Sequence, residues 1–161
     1  MADLLVRLYD LPPLAPAVEA LAAAGVVVRR AAAAERTPVV AWMGAQGSPG
    51  WADECAAAFA RQPIACFVAV DGNAPGADLL GVACHDAACR NFFGPELVAP
   101  GQRGRGIGRA LLLAALHAMR ADGYGYAIIG WASSAEFYRR AVGAVPIDGS
   151  TPGIYPARFI R

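Results

Sequence analysis

The chain has 161 residues and a formal net charge of +1 at pH 7, so its overall field would not recruit nucleic acid or an anionic lipid surface. Apolar residues make up 57% of it. Much of this share is alanine, which favours close helix packing over a membrane span. No apolar run approaches the roughly 20 residues that cross a bilayer, and no signal-peptide pattern opens the chain. We therefore expect a cytoplasmic protein with one domain over residues 1–161, divided into an N-terminal arm (1–25) and a core (26–161).

The first part of the chain alternates strand and helix patterns. Residues 1–10 alternate weakly in polarity and predict an extra edge strand or an ordered arm, and a helix is expected at 15–24. A β-branched strand begins at Val26, and two helices follow, one near 37–43 and one from Trp51 to the residue before Pro63. The apolar residues at helical spacing in the second of these helices are Trp51, Cys55, Ala58 and Phe59.

The rest of the chain predicts a three-strand meander, a long helix, a strand, a shorter helix and two closing strands. These elements are expected at 64–70, 79–84, 92–98, 106–122, 124–129, 134–142, 145–147 and 154–160. A proline cannot donate to a sheet, so Gly94-Pro95 inside the third strand predicts a bulge or a sheet edge. The long helix is apolar on nearly every side, which predicts burial against a sheet. The order of elements indicates an α/β fold, a mixed sheet with helices on both faces.

A glycine-rich turn, Arg103–Gly108, lies between a predicted strand and the buried helix. Glycines let the backbone approach a ligand closely, and free amides at a helix start bind phosphate groups. Arg103, Arg105 and Arg109 add local positive charge. The glycine spacing does not fit a dinucleotide fingerprint, and Gly108-Arg109-Ala110 stands where a Walker loop needs Lys-Ser or Lys-Thr. A phosphate site and a tight turn without a ligand both remain open at this point.

The segment from Val98 to Leu112 resembles the acyl-CoA-binding segment of the GNAT superfamily of N-acyltransferases. That family's pattern R-x-x-G-x-G falls on Arg103, Gly106 and Gly108, and a valine-x-proline precedes it, as in the family. The resemblance covers about residues 97–143 in detail and the order of elements from Val26 to the end. It implies a single-domain GNAT-like fold, a twisted mixed β-sheet with a central splay and CoA in the cleft.

The resemblance also implies a donor site. Backbone amides from Gln102 to Gly108 would hold the CoA pyrophosphate, and two residues of the preceding strand would pair with the pantetheine arm. An asparagine common in the family is replaced near Trp131, so Ser133 or Ser134 is expected to cap the next helix and contact the pantetheine instead. The donor-site residues expected are Leu97, Val98, Gln102, Arg103, Gly104, Arg105, Gly106, Ile107, Gly108, Arg109, Ser133 and Ser134.

Acyl transfer from a thioester to an amine needs a group that protonates the departing sulfur and a route for the amine's proton. Tyr138 stands where the family's second signature helix carries the acid, and a buried core tyrosine is the alternative interpretation. Glu96, on the strand before the turn, is the first candidate base. His85 and Asp86, at the end of the strand before it, are further candidates. Ordered water can also take the amine's proton without a dedicated base.

Two further groups of residues have competing explanations. Cys84, His85, Asp86 and Cys89 look like metal ligands by composition, but neighbouring residues on a strand point to opposite faces, so we expect buried thiols and no metal site. Aromatic residues and a late loop suggest acceptor contacts with a partly apolar amine, although core packing explains the same residues. This second group is Trp42, Met43, Trp51, Phe92, Phe93 and the loop 149–153.

The sequence therefore predicts an N-acetyltransferase that uses acetyl-CoA as co-substrate and acts on a primary amine of a small molecule or a protein. The alternative is a non-catalytic acyl-CoA sensor or interaction module, because the family's asparagine is missing. No nucleic-acid or membrane partner is expected, and a homodimer is possible through the N-terminal arm.

Overall fold

The computed structural model describes residues 1–73 and 76–154, and within them the chain forms seven strands and five α-helices. In chain order they are β1 (Leu4–Arg7), α1 (Ala15–Ala23), β2 (Val26–Arg30), α2 (Arg36–Gln46), α3 (Pro49–Phe59), β3 (Cys66–Asp71), β4 (Leu79–His85), β5 (Phe92–Val98), α4 (Ile107–Ala121), β6 (Tyr126–Ile129), α5 (Ala135–Val142) and β7 (Val145–Pro146). The predicted elements up to β7 are present, with ends that differ by a few residues. The strand expected at 154–160 falls almost wholly on residues outside the described ranges.

All seven strands belong to one mixed sheet with the order β2-β3-β4-β5-β6-β1-β7. Strands β2 to β5 form an antiparallel meander, here called the meander half-sheet. Strands β6, β1 and β7 form the closing half-sheet, which is antiparallel as well. The two halves meet where β5 runs parallel to β6, with Phe92 opposite Ile128 and Phe93 opposite Ile129. No pairing between β5 and β6 continues beyond Phe93, and this opening is the central splay that the resemblance implied.

The first strand corrects one expectation. Residues 1–10 were expected to form an edge strand or an arm, but β1 lies inside the sheet between β6 and β7. The reason is visible in its side chains, because Leu4 and Val6 are almost completely buried and the backbone of β1 pairs on both sides. The segment after β1 is also fixed, since Nε2 of His117 on α4 lies 2.9 Å from the carbonyl oxygen of Pro12.

Helices cover both faces of the sheet, as expected. One core contains α1, α4 and α5, and nine of the fifteen residues of α4 are buried in it. The other core contains α2 and α3. Successive side chains of β3 point to opposite faces of the sheet, so Phe67 lies in the first core and Cys66 and Val68 lie in the second. None of the helices in the described ranges is long and apolar enough to cross a bilayer.

The predicted irregularity at Gly94-Pro95 is a β-bulge. Strand β4 pairs Ala83 with Glu96 but His85 with Phe93, so β5 carries one extra residue in this interval. Gly94 has φ +121°, a backbone conformation that favours glycine. The extra residue shifts the alternation of side chains, and Glu96 therefore shares the α4 face of the sheet with Phe93.

Candidate active site

The glycine-rich turn leads from the end of β5 into the first turn of α4. Gly106 occupies the N-cap position of α4 with φ +86°, and Gly104 also has a left-handed φ of +78°. A left-handed N-cap explains why glycine stands at 106, since a side chain there would be strained. Gly106 has no side-chain oxygen to cap the helix, so the first amides of α4 and the positive end of its dipole are left for an anion.

A cavity of about 620 Å³ opens in front of this turn, in the splay between the half-sheets. All the donor-site residues expected from the sequence line it except Arg105, whose side chain bonds the Gln102 side chain and faces α1. Ser134 is the N-cap residue of α5, but its side chain makes no capping bond, which corrects that part of the expectation. The lining residues are Trp51, Glu96, Leu97, Val98, Gln102, Arg103, Gly104, Gly106, Ile107, Gly108, Arg109, Ser133, Ser134, Phe137 and Tyr138.

The end of β5 offers backbone groups to this cavity. The amide of Ala99 donates to the carbonyl of Leu80 on β4 at 2.9 Å. Because residues of an antiparallel pair bond their partner strand alternately, Leu97 also turns its backbone toward β4, and Val98 turns its backbone away from β4 toward the splay. Leu97 lines the cavity and packs against the α2–α3 core. The Val98 carbonyl oxygen accepts from Nε of Arg103 at 3.3 Å, and an extended chain could pair with this strand edge.

Glu96 and Tyr138 meet inside the cleft. The Tyr138 hydroxyl, on α5, donates to Oε2 of Glu96, on β5, at 3.3 Å, and the Tyr138 ring packs edge-on against Phe93. Oε1 of Glu96 is buried and has no hydrogen-bond partner among the described residues. Burial raises the pKa of Glu96 to about 8, and the bond from Tyr138 opposes that rise. Burial, followed by the neighbouring Glu96 carboxylate, raises the pKa of Tyr138 above its ordinary value.

A second cavity, of about 440 Å³, adjoins the first. Glu96 and Tyr138 line both cavities, so the pair stands where they join. Two indole rings border the second cavity, Trp51 from the first turn of α3 and Trp131 from the segment after β6. A pair of proton-exchanging groups between two cavities can serve a reaction that joins two substrates.

The sequence identified the second cavity only in part. Trp51 and Phe93 were expected to contact an acceptor, and both line it. Met43 and Phe92 are buried, and Trp42 packs against the core beneath α2 and α3. The loop 149–153 reaches the site indirectly, through Trp131, whose indole donates to the carbonyl oxygen of Pro152.

Among the residues of the second cavity that the sequence analysis missed as contacts are Glu54 and Trp131. Glu54 lies one helical turn after Trp51 on α3, and the i, i+3 spacing alone predicts that both share a face. Trp131 was noted only where an asparagine was missing. Its backbone has φ +49°, and its amide donates to Oδ1 of Asp3 at 3.1 Å. Because Asp3 and Trp131 are 128 residues apart in the sequence, no local pattern predicts this contact.

The other candidate bases lie away from the cleft. His85 and Asp86 are buried at the far end of β4, and neither lines either cavity. The Asp86 carboxylate accepts from the Tyr124 hydroxyl at 3.0 Å and from the Asn91 amide at 2.7 Å, and its Oδ2 lies 3.0 Å from Nδ1 of His85. Burial lowers the pKa of His85. These contacts describe a structural network that holds the β4–β5 turn.

Cys84 and His85 point to opposite faces of the sheet, as expected for neighbouring residues of a strand. Cys84 packs in the α2–α3 core with Cys55 and Cys66, while His85 stacks on Phe67 in the other core. The three sulfur atoms lie within 4.8 Å of one another, and ligand atoms of His85, Asp86 and Asp122 form a second group of this size. Neither group lines the cleft, so neither bears on a reaction there.

Comparison with known proteins agrees with this geometry. Residues 62–141, about half of the chain, match the family model of the acetyltransferase (GNAT) domain. The comparison with curated proteins finds no match.

Solved structures that share the fold include three with TM-scores of 0.63 to 0.72. One is a GCN5-related glucosamine N-acetyltransferase region of a fungal multi-domain GH3 β-N-acetylglucosaminidase (TM-score 0.72, 15% identity, 91% of this chain and 19% of that chain). Another is a GCN5-related N-acetyltransferase from Sphaerobacter thermophilus (TM-score 0.65, 17% identity, 91% and 48%). The third is a Drosophila protein (TM-score 0.63, 14% identity, 91% and 47%). This chain spans less than half the length of each, and at these identities the likeness concerns the fold.

The parted mixed sheet, the glycine-rich turn at the start of α4 and the family match lead to one assignment. The chain belongs to the GNAT superfamily of acyltransferases.

Proposed function

We propose that the protein transfers an acetyl group from acetyl-CoA to a primary amine of a small molecule or a protein. The observation that carries the proposal is the pairing of Glu96 with Tyr138 at the junction of two cavities. One cavity has the features of a phosphate-binding donor site, and the other is bordered by aromatic rings and carboxylates. Family membership supports acyl transfer, and the acetyl donor and amine acceptor are our proposal.

The first cavity fits an acyl-CoA. The amides at the start of α4, beside Arg103 and Arg109, suit the pyrophosphate. The backbone of Val98, whose carbonyl oxygen accepts from Nε of Arg103 at 3.3 Å, lies where the amides of the pantetheine arm can pair with the strand edge. Ser133 and Ser134 border the same cavity from the α5 side and are proposed contacts of that arm. The thioester would then lie near Glu96 and Tyr138, at the inner end of the cavity.

The two residues have complementary roles in the reaction. Glu96, as the carboxylate, takes a proton from the acceptor ammonium, and the free amine attacks the thioester carbon. The C–N bond forms and the C–S bond breaks, and the Tyr138 hydroxyl gives its proton to the departing sulfur. The nitrogen loses a second proton as the amide forms, and this proton restores the Tyr138 hydroxyl. The first proton passes from Glu96 to solvent.

The second cavity suits a cationic acceptor with an apolar face. Trp51 and Trp131 offer flat indole surfaces, and the carboxylates of Glu54 and Glu96 favour a positive charge. The fungal structure is named for glucosamine acetylation, so amino sugars belong in the test panel together with arylalkylamines and peptide amines.

Two measurements on the purified protein test the proposal. Acetyl-CoA at about 100 times its Kd should add about 2.7 kcal/mol of stability, seen as a shift of several degrees in Tm. Release of free CoA is then followed with each amine of the panel. No Tm shift at millimolar acetyl-CoA would refute the proposal. A shift without CoA release for any amine would favour the non-catalytic acyl-CoA sensor.

A further inference from the structure

Trp131, on the segment between β6 and α5, has a backbone conformation that its residue type disfavours. Its φ of +49° lies in the left-handed region, where a large side chain crowds the backbone. Such a conformation persists only where the surrounding structure holds it, and residues held in this way cluster at ligand sites. Trp131 borders the second cavity, beside Glu96 and Tyr138.

Asp3, the residue before β1, holds this backbone from a distant part of the chain. Oδ1 of Asp3 accepts from the Trp131 amide at 3.1 Å. Asp3 is only 5% exposed, so little water competes for this bond. Because Asp3 leads into a strand that pairs on both sides, the carboxylate is anchored to the closing half-sheet.

The main chain of Asp3 also anchors the loop that holds the indole. The Asp3 amide donates to Oγ of Ser150 at 2.8 Å, and the Asp3 carbonyl oxygen accepts from the Ile147 amide at 2.9 Å. The same loop carries Pro152, whose carbonyl oxygen accepts from Nε1 of Trp131. Asp3 therefore fixes the backbone of Trp131 directly and its indole through the loop.

Gly153 lets this loop approach both residues closely. A Cβ on Gly153 would lie 3.2 Å from Oδ1 of Asp3 and 3.2 Å from Nε1 of Trp131. Trp131 itself is 45% exposed, so burial in a core does not fix its ring. The contacts with Asp3 and with the loop are what set its orientation beside the second cavity.

We infer that Asp3 is a positioning residue for the acceptor, which holds the Trp131 indole as the wall that selects amines with a flat aromatic ring. The inference rests on the proposed function, since it concerns the acceptor of the same reaction. Asp3 lines neither cavity of the site, so it acts through Trp131 and touches neither substrate. The favoured substrate class is an arylalkylamine, with its ring on the indole and its nitrogen toward Glu96.

Two amines of similar length measure this selection. Phenethylamine carries an aromatic ring, and hexylamine has none. The ratio of their kcat/KM values is determined from CoA release at saturating acetyl-CoA, and the wild-type enzyme should favour phenethylamine. Asp3→Ala should lower this ratio about fivefold through the KM for phenethylamine, with kcat nearly unchanged, because the chemistry at Glu96 and Tyr138 is left in place.

Matched variants separate the hydrogen bond from charge and from general stability. Asp3→Asn keeps an oxygen that can accept from the Trp131 amide, so it should keep the wild-type ratio. Asp10→Ala removes an exposed carboxylate shortly after β1 that lines neither cavity, and it should keep the ratio as well. The affinity for acetyl-CoA, measured by calorimetry, should stay within about twofold in all of these variants.

Trp131→Ala tests whether Asp3 acts through the indole. It removes the ring and leaves β1 unchanged, so it tests the wall even where Asp3→Ala fails to fold. It should lower the ratio at least as much as Asp3→Ala does. The double variant should lose no more than Trp131→Ala alone, because both changes remove the same contact with the substrate.

The outcomes separate this inference from the proposed function. An unchanged ratio in Asp3→Ala or Trp131→Ala would overturn the inference, as would additive losses in the double variant. An equal loss of acetyl-CoA affinity in Asp3→Ala would also overturn it, since Asp3 would then support the fold as a whole. A wild-type enzyme that acetylates amines without preferring phenethylamine would overturn the inference and leave the proposed function standing. If no amine releases CoA, the proposed function fails and the inference fails with it.

Discussion

The two half-sheets are assembled in different ways. The meander half-sheet uses four strands that pair with their neighbours in the chain, from Val26 to Val98. The closing half-sheet takes β6, β1 and β7 from distant parts of the chain. The first half carries the strand that leads into the glycine-rich turn, and the second supports the segment that carries α5.

The same difference appears at the site, where one side is built mainly from neighbouring residues of the sequence and the other from distant segments. Most of the proposed donor side comes from one stretch of sequence, from Glu96 to Arg109, and the rest comes from α3 and from the start of α5. The acceptor side combines α3, β5 and the segment after β6. Because Glu96 and Tyr138 come from opposite sides of the splay, the proposed chemistry depends on how the two halves are held together.

The largest expected effect concerns the donor side, at Gly108. A Cβ there would lie 3.4 Å from Oε1 of Glu96 and 3.8 Å from the Phe137 ring, and the two further methyl groups of valine would enter the cavity. Gly108→Val should abolish measurable acetyl-CoA binding, a loss of at least about 100-fold or roughly 2.7 kcal/mol, in calorimetry. Gly101→Val is the control, since no atom lies within 4 Å of its Cβ position. Retained binding in Gly108→Val would mean that the turn holds no phosphate.

The second effect tests the contact across the splay. Tyr138→Phe should lower kcat about 100-fold and leave acetyl-CoA affinity within about twofold, because the hydroxyl acts on the departing sulfur and not on binding. Steady-state rates and calorimetry measure the two quantities. Tyr126→Phe is the control, since Tyr126 is exposed on β6 and lines neither cavity. A parallel loss of rate and affinity would assign Tyr138 a structural role.

The third effect tests whether β1 contributes to the free energy of unfolding as a strand inside the sheet should. Val6 on β1 is fully buried, and Val27 on β2 is 42% exposed. Val6→Ala should lower the free energy of unfolding by about 2 kcal/mol, and Val27→Ala should change it by less than about 0.5 kcal/mol. Urea denaturation measures both. Similar losses in the two variants would contradict the interior position of β1.

The smallest effect concerns pH. With a pKa of about 8, Glu96 is mostly protonated at neutral pH, so kcat/KM should rise as pH is raised through about 8. Glu96→Gln should remove this rise and lower kcat/KM about tenfold at pH 9. Glu19→Gln on α1, an exposed position that lines neither cavity of the site, should keep the rise. A rise that persists in Glu96→Gln would assign the base to another group.

The free energy of unfolding should also depend on the protonation of Glu96. Because folding raises the pKa of Glu96 above its ordinary value, the folded protein keeps this proton to higher pH than the unfolded chain does. The stability that it contributes is full below the unfolded pKa and is lost as pH rises through about 8. The free energy of unfolding in urea should therefore fall from pH 6 to pH 9 more steeply in the wild-type protein than in Glu96→Gln.

The sequence predicted the meander half-sheet well because its signals are local. Strand and helix periodicities, the bulge at Gly94-Pro95 and the glycines of the turn all act over a few residues. The resemblance to the GNAT pattern then indicated residues that line the first cavity. The stretch from Glu96 to Arg109 could be predicted without contacts between distant segments.

The remaining features depend on distant contacts. Position 131 gave no signal as a cavity residue, because Asp3 and the Pro152 carbonyl fix its backbone and its indole. Arg105 belonged to the predicted turn, but only the packing of α1 shows that its side chain lies beside that helix and not in the first cavity. For the same reason the sequence analysis expected β1 at a sheet edge, although it lies inside the sheet. The residues of a strand do not by themselves identify its partner strands.

The interior position of β1 has a consequence for biosynthesis. Asp3 and Trp131 are 128 residues apart, so at about 5–20 residues per second the ribosome needs roughly 6 to 25 seconds to deliver the partner strand. During that time the apolar side chains of Leu4, Val6 and Leu8 have no sheet to enter. We expect the meander half-sheet to form first in the nascent chain, and the segment that carries β1 to be protected by a chaperone until β6 has been synthesised.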